Sequence, residues 1–308
     1  MTKMSSKSAV KLIVPEDSSA TLYRWVSILT GSKNALKGVG FFLGGLLLTL
    51  LDFQTALKLL VALVASTLVL AAFLMRGGLG LANKKAKFGQ MFSRNGAVNK
   101  LAAARIFLFG ARDVWFVVGL PVFLSSVLRW TFWQSGGFLA VWVIGYGIVQ
   151  AATPGLLRSR VEGQHEPDGR TATILAFVLA ALPAGIALGL TAGVAPSTVV
   201  VAGLIIFGAV FALNSAVHSY LILAYTDSDK VAMNVGFYYM ANATGRLAGT
   251  VLSGALYQWG LQSGPSNGLI ACLWASSAFV LIAGLLSLLL PRNLGPRSKP
   301  IKLDDLGE

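Results

Sequence analysis

Residues 171–225 read TATILAFVLAALPAGIALGLTAGVAPSTVVVAGLIIFGAVFALNSAVHSYLILAY, without one Asp, Glu, Lys or Arg. Two continuous apolar runs, 171–192 and 198–225, flank a short break at Gly193–Ser197. A membrane-crossing helix needs about 20 mostly apolar residues, and each run supplies them. The runs lack the ten-residue alternation of a membrane β-barrel strand. Working outward, six more spans follow the same rule: 24–51, 55–75, 101–127, 134–157, 231–260 and 268–290. The first is interrupted by Lys33 and Lys37. The expected fold class is an all-α polytopic membrane protein.

Composition agrees. Charged residues make up 12% of the 308-residue chain, against roughly 25% in soluble domains. Hydrophobic residues make up 55%, and mean hydropathy is +0.71. The 34 glycines suit closely packed membrane helices. One cysteine, Cys272, excludes an internal disulfide and a Cys-rich metal site. Residues 1–21 lack the apolar core of a cleavable signal peptide. Trp25, Trp130, Trp133 and Trp259 fall near span ends, where interface anchors sit.

The net charge of +13 reads as membrane topology rather than nucleic-acid binding. With eight spans both termini share a side. Segments on that side hold Lys3, Lys7, Lys11, Arg76, Lys84, Lys85, Lys87, Arg94, Lys100, Arg158, Arg160, Arg170, Lys230, Arg292, Arg297, Lys299 and Lys302. The opposite side has Arg129 alone in a clear loop. Both termini are therefore expected in the cytoplasm. The expected organisation is a cytoplasmic segment 1–23, two spans in 24–75, a basic loop 76–100, six spans in 101–290 and a tail 291–308.

Spans one and seven align without a gap. Lys37-x-x-Gly40-x-x-x-x-Gly45 matches Arg246-x-x-Gly249-x-x-x-x-Gly254, and Lys33 falls opposite Asn242. Many secondary transporters are built from repeated bundles with a site near the midplane.

Charges in the bilayer interior are costly, so they are candidates for function. Lys33 and Lys37 share one helical face, with Lys37 about 20 Å into its span. The plainer reading has Lys33 reaching the surface and Lys37 paired with an acid. Arg105 and Arg112 also share a face, with Arg105 near enough to the cytoplasmic end to reach headgroups. Asp113 is the only acidic residue deep in a span; it reads as a counter-ion or a proton carrier. Arg246 lies at mid-depth, with Tyr238, Tyr239 and Asn242 nearby in the sequence. Asn214 and His218, spaced i, i+4, read as interhelical glue or a proton site. His165 lies in a charged loop and reads as solvated. The formal excess of positive charge in the spans would be offset by a bound multivalent anion. Guanidinium forks suit phosphate, arsenate and carboxylate oxygens. No phosphate-binding GxxxxGK[ST] loop, HExxH motif or Cys/His cluster is present, so neither ATP drive, metal nor other cofactor is expected.

The chain resembles the major facilitator superfamily, and within it the organoarsenical efflux permeases (ArsJ type). The resemblance is carried by TKMSSKSAVK at 2–11, LTGSKNALKGVGFFLGG at 29–45, FGARDVWFVVGLP at 109–121 and VIGYGIVQ at 143–150. It implies two six-helix bundles joined by the basic loop. Family members have about a hundred more residues at the amino end, so the spans would correspond to helices five to twelve, and 24–75 to a remnant of the first bundle. It further implies export of 1-arseno-3-phosphoglycerate, made from arsenate by a partner glyceraldehyde-3-phosphate dehydrogenase, across a bacterial inner membrane. Lys33, Lys37, Arg105, Arg112, Asn242 and Arg246 are the expected substrate ligands, with Asp113 and His218 as counter-ion or proton carriers. The rival readings are an exporter of another phosphorylated anion and a partner-dependent half-transporter without activity of its own; a membrane enzyme or a channel fits less well.

Overall fold

The computed structural model describes residues 10, 14, 19–74, 95–157, 166–226 and 231–292. Most of the basic loop 76–100, His165, Lys230 and the tail from 293 lie outside them, as does most of the segment before Ser19. Among the described residues the chain is helical, without a strand. The helices are α1 (Ser19–Leu50), α2 (Phe53–Leu74), α3 (Gly96–Phe116), α4 (Gly119–Ser126), α5 (Phe132–Leu156), α6 (Gly169–Thr191), α7 (Pro196–Ala224), α8 (Val231–Leu261) and α9 (Asn267–Ser287).

Among the described residues, six helical stretches are long and apolar enough to cross a membrane: α2, α3 together with α4, α5, α6, α7 and α9. The chain is thus a multi-pass membrane protein. The long helices α1 and α8 fall outside that set by composition. They are the helices that carry Lys33, Lys37, Asn242 and Arg246.

Local chemistry sets the helix ends. Asn95 caps α3 by accepting from the Ala97 N–H at 2.9 Å. Thr131 with Gln134 and Asp168 with Thr171 form reciprocal caps on α5 and α6. Pro196 opens α7, where its missing N–H costs nothing. The expected span 101–127 breaks after Phe116. Pro121 has no N–H for the carbonyl of Val117, and its ring crowds that turn. The N–H groups of Val118 and Gly119 turn instead to Ser253 Oγ on α8, at 3.3 and 3.1 Å. A backbone break inside a membrane needs such a protein partner.

Packing follows from the glycines. α1 lies antiparallel to α5, α8 runs beside α3, and α9 packs against both α3 and α6. A Cβ at Gly31 or Gly147 would overlap the facing backbone of the α1–α5 contact. Gly245 and Gly249 bring α8 equally close to Ile106 and Gly110 of α3. Lipid tails are as apolar as leucine, so this contact, with interhelical hydrogen bonds, holds the bundle together. Ser276 donates to the Ala111 carbonyl at 2.7 Å and Ser277 to that of Ala180 at 2.8 Å. Buried aromatic rings of Trp115, Trp142, Phe207 and Phe211 fill the interior between α3, α5 and α7. In contrast, α2 buries only Ala56.

Candidate functional site

The polar residues of the spans converge on α3 and its neighbours. Arg105 is 5% exposed and does not reach the surface. Its Nε donates to Asn242 Oδ1 on α8 at 3.3 Å, and its Nη1 to Ser215 Oγ and O on α7 at 3.3 and 3.4 Å. The guanidinium lies 3.7 Å from the centre of the Phe109 ring and 4.9 Å from that of Tyr238. All these partners are neutral, and no carboxylate among the described residues pairs with Arg105. Cation–π contact eases a buried guanidinium without cancelling its charge.

From Ser215 the polar track continues. Gln150 Nε2 on α5 donates to Ser215 Oγ at 3.1 Å. Gln150 Oε1 accepts from Asn34 Nδ2 on α1 at 2.6 Å, and Asn34 Oδ1 accepts from Lys37 Nζ at 3.4 Å. A hydrogen-bonded line therefore joins Lys37, Arg105 and Asn242 across five helices. Lys37 stands exposed at one end of it, and Lys33 is half-buried one residue before Asn34.

Two turns along α3 from Arg105, Asp113 is buried and bonded on both oxygens. Arg112 donates to Oδ1 from Nε at 2.7 Å and also from Nη2. Arg246 Nε donates to Oδ2 at 2.8 Å. One carboxylate thus answers two arginines, one of them its sequence neighbour. Adjacent helical residues diverge by about 100°, so that pairing does not follow from the helix itself; the long arginine side chain folds back to reach it. The Arg246 side chain is 46% exposed, while that of Asp113 is 1% exposed. Phe109 lies between the two arginine clusters, its ring centre 5.2 Å from the Arg112 guanidinium. Phe116 and Phe211 complete the aromatic wall around Arg112.

The expected residues therefore fall into a line (Lys37, Arg105, Asn242) and a triad (Arg112, Asp113, Arg246), joined by Phe109. His218 and Asn214 are fully buried on α7, and no described protein atom hydrogen-bonds their side chains. The sequence reading overlooked Asn34, Gln150 and Ser215. Gln150 had a signal, as an amide deep in an otherwise apolar run; Ser215 had none, because serine is common in such helices.

This fold and site define a multi-pass helical membrane protein with a buried, arginine-bearing polar track. The chain matches no family model and no curated protein.

Proposed function

We propose that the chain is a secondary transporter that exports an organic anion by alternating access, with 1-arseno-3-phosphoglycerate as the substrate. The observation that carries this reading is Arg105. It is a permanent cation, buried, with only neutral partners among the described residues. A negatively charged ligand would supply the missing countercharge. Arg112 and Arg246 supply two more guanidiniums, and one carboxylate offsets them. A phosphate-bearing and arsenate-bearing acid offers several oxyanion groups to such a set.

In this reading α1 and α8 also cross the membrane, with their polar faces turned to the anion path, and both termini face the cytoplasm. The architecture is the part of the major facilitator fold expected from the resemblance. A glyceraldehyde-3-phosphate dehydrogenase supplies the substrate, and the result is arsenate resistance.

The test uses cells that carry the dehydrogenase and receive arsenate, with and without the chain. Expected is lower cell arsenic when the chain is present, and saturable uptake of the arsenylated acid into everted vesicles. Equal arsenic with no vesicle uptake refutes the reading. Stronger competition by an unrelated phosphorylated anion would reassign the substrate. A second reading, that the chain works with a partner, is favoured by α2, which buries one residue against the bundle. In that case uptake requires a co-purifying membrane protein.

A further inference from the structure

We propose that Gln150 is a positioning residue, whose side-chain amide ties the seat of α1 to the direction in which Arg105 presents its charge. This rests on the anion-binding reading above. Gln150 is fully buried, and both ends of its amide are used. Its oxygen accepts from Asn34 on α1 at 2.6 Å. Its nitrogen donates to Ser215 Oγ at 3.1 Å, the same oxygen that accepts from Arg105 Nη1 at 3.3 Å.

The chemistry at this position is specific. An acceptor must face α1 and a donor must face α7, which a primary amide provides in one rigid plane. Asparagine would fall short by one methylene. Methionine would fill the space and make neither bond. Glutamate would keep the bond from Asn34 but set a carboxylate across Ser215 from Arg105, supplying internally the charge the anion would bring. Because Gly31 and Gly147 hold the α1 and α5 backbones in contact, a shift of α1 moves Asn34 against Gln150 directly. Rearrangement of α1 and reorientation of Arg105 are then one event, as alternating access requires of a ligand and the helices that release it.

The experiment uses the whole chain in lipid nanodiscs. One readout is the side-chain Nε–H resonance of Arg105, assigned through its loss in Arg105→Lys. The other is affinity for 3-phosphoglycerate. Gln150→Met is expected to move the Arg105 resonance and weaken 3-phosphoglycerate about tenfold, the scale of one net hydrogen bond. Asn34→Leu should shift the resonance in the same direction by less. Gln150→Glu should weaken the anion more than Gln150→Met while the Asn34 bond keeps α1 seated. Thr153→Val, which removes a hydroxyl bonded within α5 to the Val149 carbonyl, should change neither readout. An unmoved Arg105 resonance in Gln150→Met overturns the proposal, as does an unchanged affinity. If the unaltered chain binds no 3-phosphoglycerate, the anion reading falls, and the resonance alone decides whether Gln150 positions Arg105.

Discussion

Replacing Asp113 by alanine leaves two arginines facing each other without their carboxylate. Asp113 accepts from Arg112 at 2.7 Å and from Arg246 at 2.8 Å, with its side chain 1% exposed. Removing one partner of a buried ion pair costs about 3–5 kcal/mol, because the other charge is left uncompensated. Arg112, 15% exposed, bears most of that cost. Arg246 is nearly half exposed, so screening reduces its share to about 1 kcal/mol or less. The expected loss for Asp113→Ala is therefore about 3 kcal/mol. Arg246→Ala should lose about 1 kcal/mol, since Asp113 keeps Arg112. The double variant Asp113→Ala/Arg112→Ala should recover about 1–2 kcal/mol relative to Asp113→Ala, because the stranded charge is gone. Unfolding in mixed micelles, followed by tryptophan fluorescence and circular dichroism, measures all three. On the anion-binding reading proposed above the functional sign is opposite: with Asp113 gone, two guanidiniums are released to an anion, so 3-phosphoglycerate should bind more tightly as stability falls. Equal losses for Asp113→Ala and Arg246→Ala, or no recovery in the double variant, would refute the shared-carboxylate argument.

Other expectations follow from the same geometry. Gly245→Ala puts a methyl into the Ile106 carbonyl and should destabilise the α3–α8 contact by about 1–3 kcal/mol, whereas Gly254→Ala meets nothing within 4 Å and should be silent in the same unfolding assay. On the transport reading proposed above, Arg112→Ala and Lys37→Ala in a full-length relative should abolish arsenate resistance while membrane insertion, checked by fractionation, stays intact; retained resistance would remove both residues from the site. Cys272 is buried, with its thiol directed at the Ser253 carbonyl at 3.5 Å. It should resist maleimide labelling in the folded chain and label fully in denaturing detergent, and rapid labelling of the native protein would contradict the packing of α9 on α8.

Much of the fold was legible one segment at a time. A backbone in hydrocarbon must bond to itself, so an apolar run of sufficient length becomes a helix whatever its neighbours do. For that reason 171–192 and 198–225 closely anticipate α6 and α7, and Asp168 and Pro196 mark their starts. The candidate cations were legible too, since a charge inside such a run stands out against its surroundings. The sequence by itself thus determined the helical class, the approximate bounds of six of the eight expected spans and which charged groups had to be accounted for.

Their partners were decided only by the tertiary structure. Arg105 avoids the surface because Asn242, Ser215 and two aromatic rings receive it, and these come from α8, α7 and α3. Asp113 takes Arg246 because Gly245 and Gly249 let α8 close on α3. Gln150 acquires its role from helices far away in the chain, α1 and α7. Hydropathy is a property of one segment, whereas a hydrogen bond between helices depends on the rotation and depth of both. Those are set by glycine contacts and side-chain packing across the bundle, which no single segment records.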